Sequence, residues 1–255
     1  VVYGYKGITI PLPQMTVDVE LKETNIIQER DEIISFISEA CGINDRTEIN
    51  INSTIPVGRG LGSSAALSIA IARAKKLTNI REIADKCEKF IHGNPSGIDV
   101  NQVLSDTPLL FSKKDGAIPL DFNLDSYLLI IDTGVIGITK ETLKHIKQNF
   151  ENYKSYIDEL GKITEKVIEP LKKKAIEIVG AYMYKAHDLL QKLGVSHESN
   201  DDVVNICKNN GALGAKLTGG GAGGCCIALS KTKENAEKIQ NELAKKGYKS
   251  WIVTV

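Results

Sequence analysis

The chain has 255 residues and a mass of 27.8 kDa, 42% hydrophobic and 25% charged. This is ordinary globular composition, enough for one large domain or two modest ones, and it excludes a disordered chain. Lys+Arg and Asp+Glu both number 32, so there is no global basic field to gather nucleic acid or an anionic membrane, and neither is an expected partner.

Residues 6–22 carry the β-branched Ile8, Thr9, Ile10, Thr16, Val17 and Val19, interrupted by Pro11 and Pro13, and predict one or two strands. Ile26, Ile27, Ile33, Ile34, Ile37 and Ala40 have helical spacing and predict a helix over 26–41. Residues 47–52 alternate as a strand does. A glycine-rich loop, Pro56-Val-Gly-Arg-Gly-Leu-Gly-Ser-Ser-Ala-Ala66, runs into an Ala/Ile-rich helix to about residue 76. A second helix over 80–91 ends in what composition reads as a loop, His92-Gly-Asn-Pro-Ser-Gly-Ile-Asp99. Strands are expected at 108–112, 117–121 and 127–132, and helices near 140–160, 163–176, 177–193 and 200–210. Strands at 213–217 and 224–229 flank a second glycine loop, and a helix at 232–246 and a strand at 249–254 close the chain. The mixture is α+β, with two lobes meeting near 115–130.

No apolar run approaches the roughly 20 residues that span a bilayer, and no signal peptide is visible. Cys41, Cys87, Cys207, Cys225 and Cys226 fit no zinc spacing. Free thiols in a reducing cytoplasm are the expectation.

Three loops carry the chemistry. Gly58, Gly60 and Gly62 let the backbone turn tightly and approach a ligand, and Ser63, Ser64 and Ala65 then open a helix. The free N–H groups and positive end of such a helix cradle phosphate, and the hydroxyls donate to phosphate or ligate Mg²⁺. A glycine turn with serine caps is the plain alternative. A P-loop needs a Lys after the glycines, and none is there. Gly60 to Ala65 satisfies the dinucleotide fingerprint, but the acidic strand end expected about 20 positions on falls in a helical pattern, which argues against NAD. Glu88 and Asp99 supply a metal-ligating and a proton-accepting carboxylate if the loop between them folds back; singly, they read as a helix face and a cap. Between Gly219 and Gly224 only Ala222 is not glycine, more freedom than a hairpin needs, and Lys216 and Thr218 flank the run.

Together these segments resemble the GHMP kinases, named for galactokinase, homoserine, mevalonate and phosphomevalonate kinases. Pro56 to Ala66 is similar to the family's phosphate motif, P-x-G-x-G-L-G-S-S-A. Lys216-Leu-Thr-Gly219 and the glycines after it resemble the third motif, with the single alanine moved from the usual G-A-G-G-G-G to Ala222. Glu88 to Asp99 resembles the E-x-x-I-H-G-x-P-S-G-x-D stretch of the members that phosphorylate mevalonate. His187 to His197 resembles the helical segment preceding the third motif, and Ile131 to Val135 through Thr139 and Lys140 resembles the strand and turn opening the second lobe. Val1-Val2-Tyr3-Gly4 resembles the tail of the family's opening motif, which would place that motif's Lys, Glu and His before Val1.

The resemblance implies a two-lobed α+β fold. Residues 1–122 form an N-terminal lobe of mixed sheet and helices, like domain 2 of ribosomal protein S5, and residues 123–255 form a ferredoxin-like lobe with additional helices. It implies transfer of the ATP γ-phosphate to the C5 hydroxyl of mevalonate, in the cytoplasm, with a homodimer as the candidate assembly. ATP would be held by Pro56, Gly58, Arg59, Gly60, Leu61, Gly62, Ser63, Ser64, Ala65 and Ala66, and Mg²⁺ by Ser64 and Glu88. Mevalonate would meet His92, Asp99, Thr218, Gly219 and Gly220, with Asp99 the catalytic carboxylate. The alternatives are a phosphomevalonate kinase, a mevalonate 3-kinase or a decarboxylase of the same family, or a non-catalytic ligand sensor on the same fold.

Overall fold

A computed structural model of the chain describes residues 4–137, 144 and 146–255. Val1 to Tyr3, Thr139, Lys140 and the opening of the helix expected from 140 lie outside the described residues. The chain divides into two units: Ile8–Val57 with Gly62–Pro119, and Tyr5–Gly7 and Gly58–Leu61 with Leu120–Val255.

The first unit runs β1 (Gly7–Thr9), β2 (Val17–Glu23), α1 (Glu32–Ala40), β3 (Thr47–Ser53), α2 (Ser63–Ala74), α3 (Ile80–His92), α4 (Ile98–Val103), β4 (Leu109–Ser112) and β5 (Gly116–Pro119). Strands β2 and β3 pair antiparallel, with Val17 opposite Ser53 and Glu23 opposite Thr47, and a second sheet has the order β1-β4-β5. The core gathers Ile37 and Cys41 of α1, Ile71 and Ala72 of α2, and Ile83 and Cys87 of α3 against Val19, Leu21 and Ile49 of the β2–β3 sheet. A second cluster, Ala65, Ile69, Ala84 and Val100, joins α2, α3 and α4.

Two expectations are corrected here. Helix α1 starts at its Asp31 cap, whose carboxylate accepts the Ile34 N–H at 2.8 Å. Ile26 and Ile27 precede it and are both 70% exposed. The N–H groups of Thr24 and Gln28 bond the carbonyls of Arg46 and Asp45, which diverts this stretch from the helical ladder. Asp99, in turn, lies in the first turn of α4 rather than in a loop, because Gly97 takes a left-handed conformation (φ 82°) and redirects the chain into the helix.

The second unit runs β6 (Tyr127–Asp132), α5 (Phe150–Lys166), α6 (Ile168–Lys172), α7 (Ile176–Lys192), α8 (Glu198–Asn209), β7 (Gly214–Leu217), β8 (Cys225–Ser230), α9 (Lys233–Lys245) and β9 (Lys249–Thr254). The sheet is antiparallel with order β7-β8-β6-β9, the split β-α-β arrangement of ferredoxin-like folds, its first crossover enlarged by extra helices. Leu128 to Ile131 of central β6 are all buried, so both faces of the sheet are covered. The helix expected over 163–176 is divided: Pro170 has no N–H for the Lys166 carbonyl, and the α5 ladder stops there. Gly180 of α7 lies on β7 so closely that an added Cβ would fall 2.3 Å from the Leu213 carbonyl oxygen. No helix among the described residues is long and apolar enough to cross a membrane.

Candidate active site

In the first unit, α2 and α3 bring a hydroxyl to a carboxylate. Ser64, in the first turn of α2, donates from Oγ to Glu88 Oε1 at 2.5 Å. Glu88 is buried, and one turn on along the same face of α3 stands His92, whose Nε2 is 3.2 Å from Ser64 Oγ and 3.7 Å from Glu88 Oε2. Asp99 rests on the start of α2: a Cβ built on Gly62 would meet the Asp99 Cβ and Oδ1 at 3.5 Å. Gly62, left-handed, is the N-cap of α2 and offers no side-chain cap, so the first N–H groups of that helix are free for a ligand. Burial, reinforced by Glu88, pushes the Asp99 carboxyl up to about 6, with His92 acting the other way.

In the second unit the two glycine loops touch backbone to backbone. A Cβ on Gly60 would be 3.3 Å from Gly219 Cα, and one on Gly219 would be 3.0 Å from Gly60 Cα and carbonyl oxygen. Side chains are excluded from both positions. The Arg59 carbonyl accepts the Cys225 N–H at 3.1 Å, the Gly58 carbonyl accepts the Gly137 N–H at 3.3 Å, and the Thr218 N–H donates to the Cys225 carbonyl at 2.9 Å. The Arg59 guanidinium is committed within this unit: Nε lies 2.9 Å from Asp132 Oδ1, and Nη2 donates to the Gly134 carbonyl at 3.0 Å. Its side chain thus anchors the loop, although Nη1 is buried with no partner among the described residues. The displaced Ala222 is left-handed (φ 56°), strain of about 1 kcal/mol relative to glycine, and its N–H bonds the Val195 carbonyl at 2.7 Å.

Beneath β7 lies a buried polar group. The Leu217 N–H donates to His187 Nδ1 at 3.4 Å, and His187 Nε2 is 3.2 Å from Asp201 Oδ1, which also accepts Ser196 Oγ. Burial holds the His187 pKa below its ordinary value against the opposing Asp201. Lys216 donates to the Leu217 carbonyl at 2.7 Å, and burial pushes it down to about 8.

Residues 25–105 match the family model described as the GHMP kinases N terminal domain, and residues 167–249 match that of GHMP kinases C terminal. The mevalonate kinase of Pyrococcus furiosus is 32% identical over 255 residues, covering 88% of this chain and 75% of that protein. The chain belongs to the GHMP kinase family. As a GHMP kinase it is an ATP-dependent enzyme with a small-molecule substrate. In structure it is similar to L. major mevalonate kinase, solved in complex with R-mevalonate, at a TM-score of 0.86 and 22% identity over 99% of this chain and 90% of that one. The Methanococcus jannaschii mevalonate kinase superposes at a TM-score of 0.77 with 26% identity, over 100% of this chain and 93% of that one.

The residues singled out from this GHMP kinase's sequence fall into distinct settings. Ser64, Glu88 and His92 meet, Asp99 meets Gly62, and Gly60 meets Gly219. Ala65 is buried in the α2–α4 core, so only its N–H is available. The Ala66 N–H is already bonded to the Gly62 carbonyl at 3.0 Å and offers a phosphate nothing. The sequence alone assigns no role to Asp132, Asn200 or Asp201. Each also has a neighbour in sequence, but the partners that tie them to the site, Arg59 for Asp132, Gly223 for Asn200 and His187 for Asp201, belong to other elements.

Proposed function

We propose that this GHMP kinase phosphorylates mevalonate on its C5 hydroxyl with the γ-phosphate of ATP. The observation that carries the reading is the placing of Glu88 on Ser64 and of Asp99 on Gly62, both at the open N-terminus of α2. The E-x-x-I-H-G-x-P-S-G-x-D stretch supplies both carboxylates, and the relative from Pyrococcus furiosus is named a mevalonate kinase.

Each group then has a task. The free N–H groups of Ser63, Ser64 and Ala65 and the positive end of α2 hold phosphate oxygens. Mg²⁺ would be held by the Ser64 hydroxyl and the Glu88 carboxylate. Both are hard oxygen donors, and a single carboxylate suits an ion that completes its shell with phosphate and water. When bound, the ion supplies neutralisation of the charge on the transferred phosphoryl group. Asp99, ionised above about pH 6, accepts or orients the proton of the attacking alcohol. By its likeness to the family motif, Gly58–Leu61 is also assigned to the nucleotide phosphates.

The test is ADP release in a coupled assay with Mg²⁺-ATP and the full-length protein, offering mevalonate, 5-phosphomevalonate, homoserine and galactose side by side. Release with mevalonate alone, yielding a 5-phosphate, is the expected result. Release with another alcohol would move the substrate, and release with none would overturn the proposal.

A further inference from the structure

Asn200, the third residue of α8, is fully buried. Its Oδ1 accepts the N–H groups of Gly223 at 3.1 Å and of His197 at 3.1 Å. Its Nδ2 donates to the Gly223 carbonyl at 3.0 Å and lies 3.4 Å from Cys226 Sγ. The carboxamide therefore pairs with both backbone groups of one residue, as a neighbouring strand would. Gly223 needs such a partner. It is buried, its φ of 114° suits no ordinary side chain, and a Cβ there would fall 2.8 Å from Val135 Cγ1.

The clamp leads to the phosphate loop by short backbone steps, all inside the second unit. The Gly224 N–H bonds the Val135 carbonyl at 2.8 Å, the Gly224 carbonyl accepts Thr133 Oγ1 at 2.6 Å, and the Cys225 N–H bonds the Arg59 carbonyl at 3.1 Å. At its other end the same loop lies against Gly60 through Gly219. We infer that Asn200 is a positioning residue for phosphoryl transfer: through Gly223 it holds the Gly219–Gly224 loop in the shape that supports Gly58–Leu61, and it touches no reactant itself. The inference rests on reading Gly58–Leu61 as part of the nucleotide-phosphate loop. Without the carboxamide a buried N–H and C=O lose their partners, and the loop moves to satisfy them.

Nucleotide binding tests this without any acceptor alcohol, by titrating the full chain with a fluorescent Mg²⁺-ADP analogue. Asn200→Leu keeps the volume and removes both bonds. Asn200→Asp keeps the acceptor for the His197 and Gly223 N–H groups, and with it the helix cap, but sets an oxygen against the Gly223 carbonyl. Both variants are expected to bind nucleotide about tenfold or more weakly, as displaced positioning groups do, with kcat/KM for ATP lowered alongside. Val204→Ala, in the buried face of the same helix, removes apolar packing and none of the loop's hydrogen bonds, and should bind as the unaltered chain does. Unchanged affinity in Asn200→Asp, or an equal loss in Val204→Ala, would overturn the inference. If the unaltered chain bound no nucleotide, the phosphate-loop reading would fall first and the inference with it. If it bound nucleotide but did not phosphorylate mevalonate, only the substrate reading would fall.

Discussion

In the proposed reaction Asp99 is the side chain on which both rate and stability depend. Asp99→Asn keeps the shape and removes the proton acceptor, so turnover at saturating ATP should fall by about 10²–10⁴-fold in the ADP-release assay. In the unaltered enzyme kcat/KM should climb as pH rises through about 6 and flatten above it, because only the ionised carboxylate serves. The same shift acts on folding. Folded Asp99 keeps its proton up to about 6, whereas the unfolded side chain releases it near the ordinary 3.8. Across that window the native state binds more protons than the unfolded state, so stability falls as pH rises and the cost is complete above about 6. Asp99→Asn should therefore melt at a higher temperature than the unaltered chain at neutral pH. The gap should close as the pH falls below the ordinary Asp value, which thermal melts across that range would measure. A residue that costs stability where the enzyme works is what a reactive group in a desolvated site implies.

At the scale of elements, the first glycine loop owes its shape to Arg59 and Asp132 as well as to its glycines. The two side chains are 16% and 14% exposed, so the pair is largely desolvated, and Asp132 Oδ1 also accepts the Gly134 N–H at 2.9 Å. Removing one partner strands the other charge. Arg59→Ala and Asp132→Ala should each lose about 3–5 kcal/mol, while the double variant should lose well under the sum, a coupling that urea unfolding of the four proteins would measure. This pair also marks how far local sequence carries. The tight glycine loop and helix start of Pro56–Ala66 were legible because glycine spacing and a helix start are properties of neighbouring residues. Arg59 is assigned to the nucleotide only as part of the motif around it, whereas its guanidinium pairs with Asp132 of β6, a partner that no neighbouring residue names. Helix α1 was overextended for a related reason: Ile26 and Ile27 fit the helical period, but the carbonyls of Asp45 and Arg46 claim the adjoining N–H groups. In α4, one left-handed glycine turned an apparent loop into a helix.

For the whole molecule, the α+β character and the strand and helix order were readable from periodicity and punctuation. The capture of Tyr5–Gly7 and Gly58–Leu61 by the second unit was not, since no composition change marks it. Membership of the units has a chemical reporter in the cysteines. All five are buried free thiols, with Cys41 and Cys87 in the core of the first unit and Cys207, Cys225 and Cys226 in the second. Burial raises every one of them, Cys87 to about 11 and the three of the second unit to about 12. Thiolate is thus scarce as well as hidden, and a thiol reagent reacts only through opening of the surrounding core. The native protein should leave all five unmodified on the timescale in which a free cysteine reacts. In mild urea, mass-resolved labelling should modify Cys41 and Cys87 at one shared rate and Cys207, Cys225 and Cys226 at another, because each unit has a core of its own. A single rate for all five would show instead that the two units open as one.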